Sequence, residues 1–199
     1  MERGRFSDQL ESWLKSDEPK TVGRLGEVFG EKSFAVTVVL LMFVPAVPAP
    51  TGGITHVFEL ITVIIGAEMV IGARTMWLPS RWRERELSDT LTTKAIPFIA
   101  RTIRWFERLS RPRLASAYGQ TWFVRIIGVI VIALAVSAAF APPFSGLDTL
   151  PALGAVLVAL SIILSDVLLL GIGILIGTGG VILMFTIGAA LVRLIRDSL

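Results

Sequence analysis

Two apolar runs, broken by a short proline- and glycine-rich segment, fill the stretch from Ser33 to Ala73. No other feature limits the possible folds as much. The second run, Ile54 to Ala73, holds 20 residues. At about 1.5 Å per residue it matches the roughly 30 Å hydrocarbon core of a bilayer. The first run, Phe34 to Val44, is too short to cross alone. It must borrow from Val22–Lys32, or dip into the membrane and turn back. Pro48, Pro50, Gly52 and Gly53 separate the two runs. A similar break at Pro142, Pro143 and Gly146 interrupts the apolar sequence near the other end. Proline lacks a backbone donor and glycine tolerates unusual backbone angles. One such break in each half is a pointer to a binding site near the membrane midplane. A helix starting after Gly53 can also aim its N-terminal amides at an anion. The plainer alternative makes both breaks extracytoplasmic hairpin loops without a ligand.

The whole chain agrees with a membrane setting. Its 199 residues are 53% hydrophobic, with a mean hydropathy of +0.73, which soluble domains rarely reach. The reading is therefore an all-α, polytopic membrane helical bundle. It has four to five spans, proline-broken or re-entrant hairpins and interfacial amphipathic helices. One integral membrane domain covers residues 1–199: a cytoplasmic arm (1–32), a first broken hairpin (33–73), a basic loop (74–121), and a second broken hairpin with a glycine-rich span (122–192). The net charge of +3 comes from basic residues that flank apolar runs. This favours lipid headgroups over nucleic acid as the partner. No cleavable signal peptide is expected, because the first 32 residues are polar. Cysteine is absent, which removes disulfides, thiolate metal sites and cysteine nucleophiles.

Taken in order, Phe6, Leu10, Trp13 and Leu14 recur at helical spacing and predict an amphipathic helix over Ser7–Lys15, with Ser7 as its cap. A second helix is expected from Thr21 to Val44. Trp77 and Trp82 beside several arginines mark a membrane–water boundary. From Thr93 to Arg111, Phe98, Ile99, Ile103, Phe106 and Leu109 form one face. Arg101, Arg104 and Arg108 lie on another. Such a helix can lie flat in the headgroup region, its arginines against phosphates. Trp122 to Ala141 is a further apolar run, with Arg125 near its start. Leu147–Leu164 follows, then Ser165-Asp166 and the long segment Val167–Val192. Length makes that last segment one span, whereas Arg193 and Arg196 favour a hairpin turning at Gly177–Gly180; length is given more weight. Ten Lys/Arg between Arg74 and Arg113, against Glu84, Glu86, Asp89 and Glu107, put that loop and the N-terminus in the cytoplasm of a bacterial inner-membrane protein. Gly171, Gly177 and Gly188 suggest a small-residue face for a homo-oligomer, with a dimer favoured.

Ionisable groups in apolar runs are costly unless paired or hydrated, so each is a functional candidate. His56 and Glu59, three apart on a helix, share a face and can pair. Beside a helix break such a pair can bind a cation or relay a proton. Glu68 lies on the opposite face, near the cytoplasmic end, where an arginine can neutralise it. Asp148 and Asp166 each precede a helix and can cap it. Either can alternatively belong to an ion site. No catalytic motif is present, so no enzyme activity and no cofactor are expected. With one histidine a dedicated zinc or copper site is not expected.

Several of these residues carry a resemblance. Gly23-Arg24-Leu25-Gly26 ahead of an apolar run, Pro48-Ala49-Pro50, and Gly72-Ala73-Arg74 followed by Trp77-Leu78-Pro79 resemble the ExoD family of bacterial exopolysaccharide-synthesis proteins. The Pro143-to-Pro151 spacing and Asp166 are similar too, and the likeness runs from about Thr21 to Leu191. The resemblance implies a role in exopolysaccharide production and alkaline tolerance. Two functions fit. One is a small transporter or ion-coupled membrane protein using His56, Glu59 and Glu68. The other is a non-transporting scaffold that holds polysaccharide-synthesis proteins through the 74–118 loop.

Overall fold

Apolar runs of this length, with few charges and no alternation, favour helix, because a helix satisfies every interior backbone group within itself. A computed structural model describes residues 5–21, 24, 28–30, 32–47, 54–73, 92–93, 96–110, 113, 115–142 and 145–198. Pro48, Pro50, Gly52, Gly53, Trp77, Trp82 and Pro143 lie outside the described residues. Among those described there are eight helices and no strand. They are α1 (Phe6–Lys15), α2 (Lys32–Ala46), α3 (Ile54–Ile71), α4 (Ile96–Leu109), α5 (Ala115–Tyr118), α6 (Thr121–Ala139), α7 (Thr149–Leu164) and α8 (Val167–Ser198).

Helix α7 is the centre of the bundle. It packs against α2, α6 and α8, while α3 packs against α6 and α2. Twelve of its sixteen residues, from Pro151 to Ile163, are buried. Small side chains allow this. The site of a Cβ on Gly154 would lie 2.6 Å from the Cα of Gly177, and one on Gly173 would lie 2.9 Å from the backbone nitrogen of Val158. The α7 and α8 backbones therefore touch through glycine, as small-residue faces allow. These pairings run in opposite numerical order, so the two helices are antiparallel. Gly66 and Gly128 bring α3 and α6 together in the same way. Gly177 also faces Leu134 of α6. It serves packing within the chain rather than the oligomer face expected of it. Gly171 and Gly188 have open space beside them.

The long helices keep apolar sides on the outside. Thr121–Ala139 and Val167–Ala190 are long and apolar enough to cross a membrane, yet only 33% and 28% of their apolar windows are buried. The core helix of a water-soluble protein would be mostly covered. Val57, Leu60, Ile64 and Ile71 form an exposed stripe on α3, and Trp122, Ile126 and Val129 form one on α6. Contiguous apolar faces of this kind call for a non-aqueous neighbour.

Four expectations meet the structure as follows. First, α2 does not start at Thr21. Gly30 takes a left-handed conformation, with φ +54°, and the helix begins at Lys32. Its 15 residues extend about 22 Å, less than a bilayer core. The four to five full spans are thus represented by two helices of sufficient length and the shorter apolar helices Lys32–Ala46 and Thr149–Leu164. Second, α8 is one continuous helix of 32 residues, the single segment that length favoured, so no hairpin forms at Gly177–Gly180. Third, the described residues of the second break, Pro142, Ser145 and Gly146, form a turn between α6 and α7. Ser145 Oγ donates to the Pro142 carbonyl at 2.7 Å, and Gly146 has φ +67°. Pro142, Ser145 and Gly146 are exposed. Fourth, α4 does not lie flat with its apolar face in lipid. Ile96, Ile99, Ala100 and Ile103 are buried, and α1 packs over them. Phe98 meets Phe43 of α2, and the residue after the helix, Ser110, reaches the α7–α8 junction. The helix therefore runs along the side of the bundle.

A polar seam locks α1 to α4. Ser7 is not a cap. Its hydroxyl and its amide both donate to Glu107, so a carboxylate from α4 sits at the positive end of α1. Arg104 is turned toward Glu11 at 2.6 Å and Asp8 at 3.5 Å rather than toward lipid phosphates. Arg101 and Arg108 are exposed.

Candidate functional site

The geometry of α3 brings His56 and Glu59 onto one face. His56 Nδ1 lies 2.8 Å from Glu59 Oε2. Glu59 has no exposure, whereas the His56 side chain is 33% exposed. The other carboxylate oxygen, Oε1, has no hydrogen-bond partner among the described residues. Thr55 and Thr62, about one turn to each side, are buried with it. Thr62 returns its hydroxyl to the Phe58 carbonyl at 2.8 Å. The helices packed on α3 bring no counter-charge to this level. The only charged residue of α2 is Lys32 and that of α6 is Arg125. Lys32 donates to the carbonyl of Ile163, at the end of α7, at 3.0 Å. Arg125 donates to the carbonyl of Ile71, at the end of α3, at 3.2 Å. Both lie at the other end of the bundle. Asp148, at the start of α7, is a second carboxylate whose charge acts on Glu59.

A lone ionised carboxylate in apolar surroundings is very costly. One proton held on Glu59 or on His56 would avoid that. Either form is neutral overall. His56 is the partly exposed member of the pair, so the buried acid has a titratable neighbour at the surface of the bundle. Glu68 is not part of this arrangement, since it lies nine residues further along α3, about 13 Å by helical rise. Its carbonyl accepts the amides of Gly72 and Ala73 where the helix ends.

A second polar cluster sits at the α7–α8 junction. Asp166 is 1% exposed. Its Oδ1 accepts the Leu168 amide at 3.0 Å, an N-terminal cap for α8. Its Oδ2 accepts the Ser110 hydroxyl at 2.7 Å. The Arg113 guanidinium lies 3.3 Å from both oxygens. Tyr118 and Ser161 are buried nearby. Burial alone would raise the Asp166 carboxyl, but the Ser110 hydroxyl, the Leu168 amide and Arg113 together outweigh it and hold the carboxyl below its usual range. The cluster fastens the segment after α4 to the bundle.

That anchor has a measurable consequence. Arg113 is 44% exposed and can turn to water when its partner is removed, which limits the loss. Asp166→Ala is therefore expected to cost about 2 kcal/mol at neutral pH, the net worth of two or three hydrogen bonds to a charged group less that relief. A group with a depressed folded pKa stabilises fully above its unfolded value of about 3.9 and loses that contribution as pH falls through the folded value. Thermal unfolding in detergent at neutral and acid pH checks this. The gap between wild type and Asp166→Ala should be wide at neutrality and should close in acid.

A family model described as "Exopolysaccharide synthesis, ExoD" matches residues 6–186. The chain belongs to the ExoD family. An uncharacterized protein from Synechocystis is 26% identical over 178 residues, which is 86% of this chain and 81% of that relative. No solved structure matches. The ExoD match begins fifteen residues before Thr21, where the motif likeness starts, and so takes in α1, whose seam with α4 is thereby part of the family region.

Within this ExoD protein the structure sorts the sequence candidates. It brings His56 to Glu59 and places Asp148 at the same end. It sets Glu68 apart, and it surrounds Asp166 with partners. Asp148 does not cap α7 with its side chain; its carbonyl accepts the Ala152 amide at 2.9 Å instead. Ser110 and Arg113 were missed as site residues, because Arg113 reads as one more loop charge. Lys32 and Arg125 were missed as caps of the α7 and α3 C-termini. Cations near helix ends are the signal that could have found them.

Proposed function

We propose that this ExoD protein is a multi-pass bacterial inner-membrane protein that supports exopolysaccharide synthesis or export through ion-coupled transport, with His56 and Glu59 as the ion-handling pair. It is not an enzyme in this reading. Its N-terminus and the 74–121 loop face the cytoplasm, following the Lys/Arg distribution. One observation carries the proposal. A glutamate with no exposure and one unpartnered oxygen, among the described residues, pairs with the chain's single histidine inside an apolar helix. Such groups are kept where they serve an ion or proton path.

Cells lacking the protein, complemented with variants, test the link to polysaccharide. Glu59→Gln keeps the shape and removes the titrating group. It is expected to leave exopolysaccharide output at the uncomplemented level while the protein is still found in membranes. Asp17→Asn, an exposed change, should restore output. Full output from Glu59→Gln would exclude the pair from the function.

The outer face of α4 favours a second reading. Arg101, Trp105 and Arg108 are exposed at helical spacing. A scaffold for polysaccharide-synthesis proteins would use this face. Joint replacement of the three would then abolish output and co-purification, while ion flux stayed intact.

A further inference from the structure

We infer that the His56–Glu59 site exchanges one proton for one monovalent alkali cation, Na+ or K+ being examples. The inference rests on the reading of the pair as an ion-handling site, and it names what the site handles. In its loaded form the pair holds one proton and is neutral. Loss of that proton leaves one negative charge in apolar surroundings, a species too costly to persist unpaired. Among the described residues no cationic side chain is placed to neutralise it. The helices packed on α3 have no Lys or Arg at this level, since Lys32 and Arg125 are engaged at the other end. The nearby titratable groups are His56 on α3 itself and Asp148 at the start of α7. Asp148 adds further negative charge. The neutralising charge must therefore arrive from outside as an ion, and the balance is one cation in for one proton out.

The donor set fixes the kind of ion. Glu59 Oε1 lacks a partner among the described residues. The Thr55 hydroxyl lies one turn earlier on the same buried face. These are hard oxygen donors, which suit alkali and alkaline-earth ions rather than soft metals. Glu59 is the carboxylate without exposure, whereas Asp148 is only half-buried. The buried site itself therefore holds one negative charge, and a divalent ion would leave excess positive charge there. Among the described residues no group of three His, Cys, Asp or Glu can hold a metal ion. The partly exposed His56 gives the departing proton its route out.

The test is an equilibrium titration of the full-length protein in detergent and weak buffer. NaCl, KCl and LiCl are added at constant ionic strength, with choline chloride as the control, and a pH-sensitive dye reads proton release. At least one alkali cation is expected to release about one proton per chain, and choline none. Glu59→Gln should release none. Glu59→Asp should restore release at higher cation concentration, which separates loss of the carboxylate from loss of the fold. Absence of release with every alkali cation overturns the inference. So does release that survives Glu59→Gln, or release seen only with MgCl2 or CaCl2. Release without any flux in proteoliposomes supports the exchange site and discards transport. Proton flux indifferent to alkali cations overturns the exchange and leaves the transport reading standing.

Discussion

Gly154→Leu is expected to break the bundle at its centre. The Cβ it introduces would fall 2.6 Å from the Gly177 Cα and 2.8 Å from the Gly173 carbonyl oxygen. These are backbone atoms of α8, not the ends of flexible side chains, so no rotamer change relieves the clash. The two helices must separate. Overpacking a dense core costs about 1–3 kcal/mol and sometimes more, and a backbone-to-backbone contact belongs at or above the top of that range. A loss of roughly 3 kcal/mol in a chain of this size lowers the melting temperature by about 6–12 °C. Gly171→Leu is the matched control. Gly171 has nothing within 4 Å of its Cβ site, and its substitution should move the transition little. Thermal unfolding of the two variants in the same detergent reads both. Equal shifts would show that α7 and α8 do not touch through glycine.

The packing that makes Gly154 sensitive was partly legible beforehand. Gly173 and Gly177 stand four apart on an apolar segment, a pattern that marks close helix approach. What the pattern lacks is the partner. Gly154 lies nineteen residues before Gly173, on another helix, and nothing local to either segment tells an inward face from an oligomer face. The His56–Glu59 pair was readable because three residues on a helix fix a shared side. Asp166 was readable as a cap for the same local reason. Its bonds to Ser110 and Arg113 were not, since they span 56 and 53 residues, across two apolar helices whose patterns carry no sign of that pairing. Helix ends also misled. Gly30 stops the helix expected from Thr21, and the backbone angle that does so leaves no trace in hydropathy. The amphipathic pattern of α4 was correct, but the cover on its apolar face is α1 rather than lipid. One stripe of Ile96, Ile99 and Ile103 suits either neighbour.

The second large effect concerns Glu59. Its carboxylate is the only side chain of α3 that is both acidic and fully buried. If it carries the transported charge, an isosteric amide cannot replace it, because an amide neither binds nor releases a proton at neutral pH. Glu59→Gln should remain folded, since the neutral amide relieves the cost of a buried acid. A loss of transport in a stable variant therefore isolates the titrating group. His56→Gln should slow proton passage without removing the carboxylate, so its effect should be smaller. Glu68, about 13 Å away along the helix, should tolerate the amide.

The most direct measurement of the ion-handling claim is proton flux into proteoliposomes carrying purified protein, driven by an imposed pH gradient with and without an alkali cation gradient. Wild type and Glu68→Gln are expected to dissipate the pH gradient well above empty vesicles, whereas Glu59→Gln should match empty vesicles while melting like wild type. Undiminished flux through a folded Glu59→Gln protein would contradict the assignment of His56 and Glu59 as the ion-handling pair.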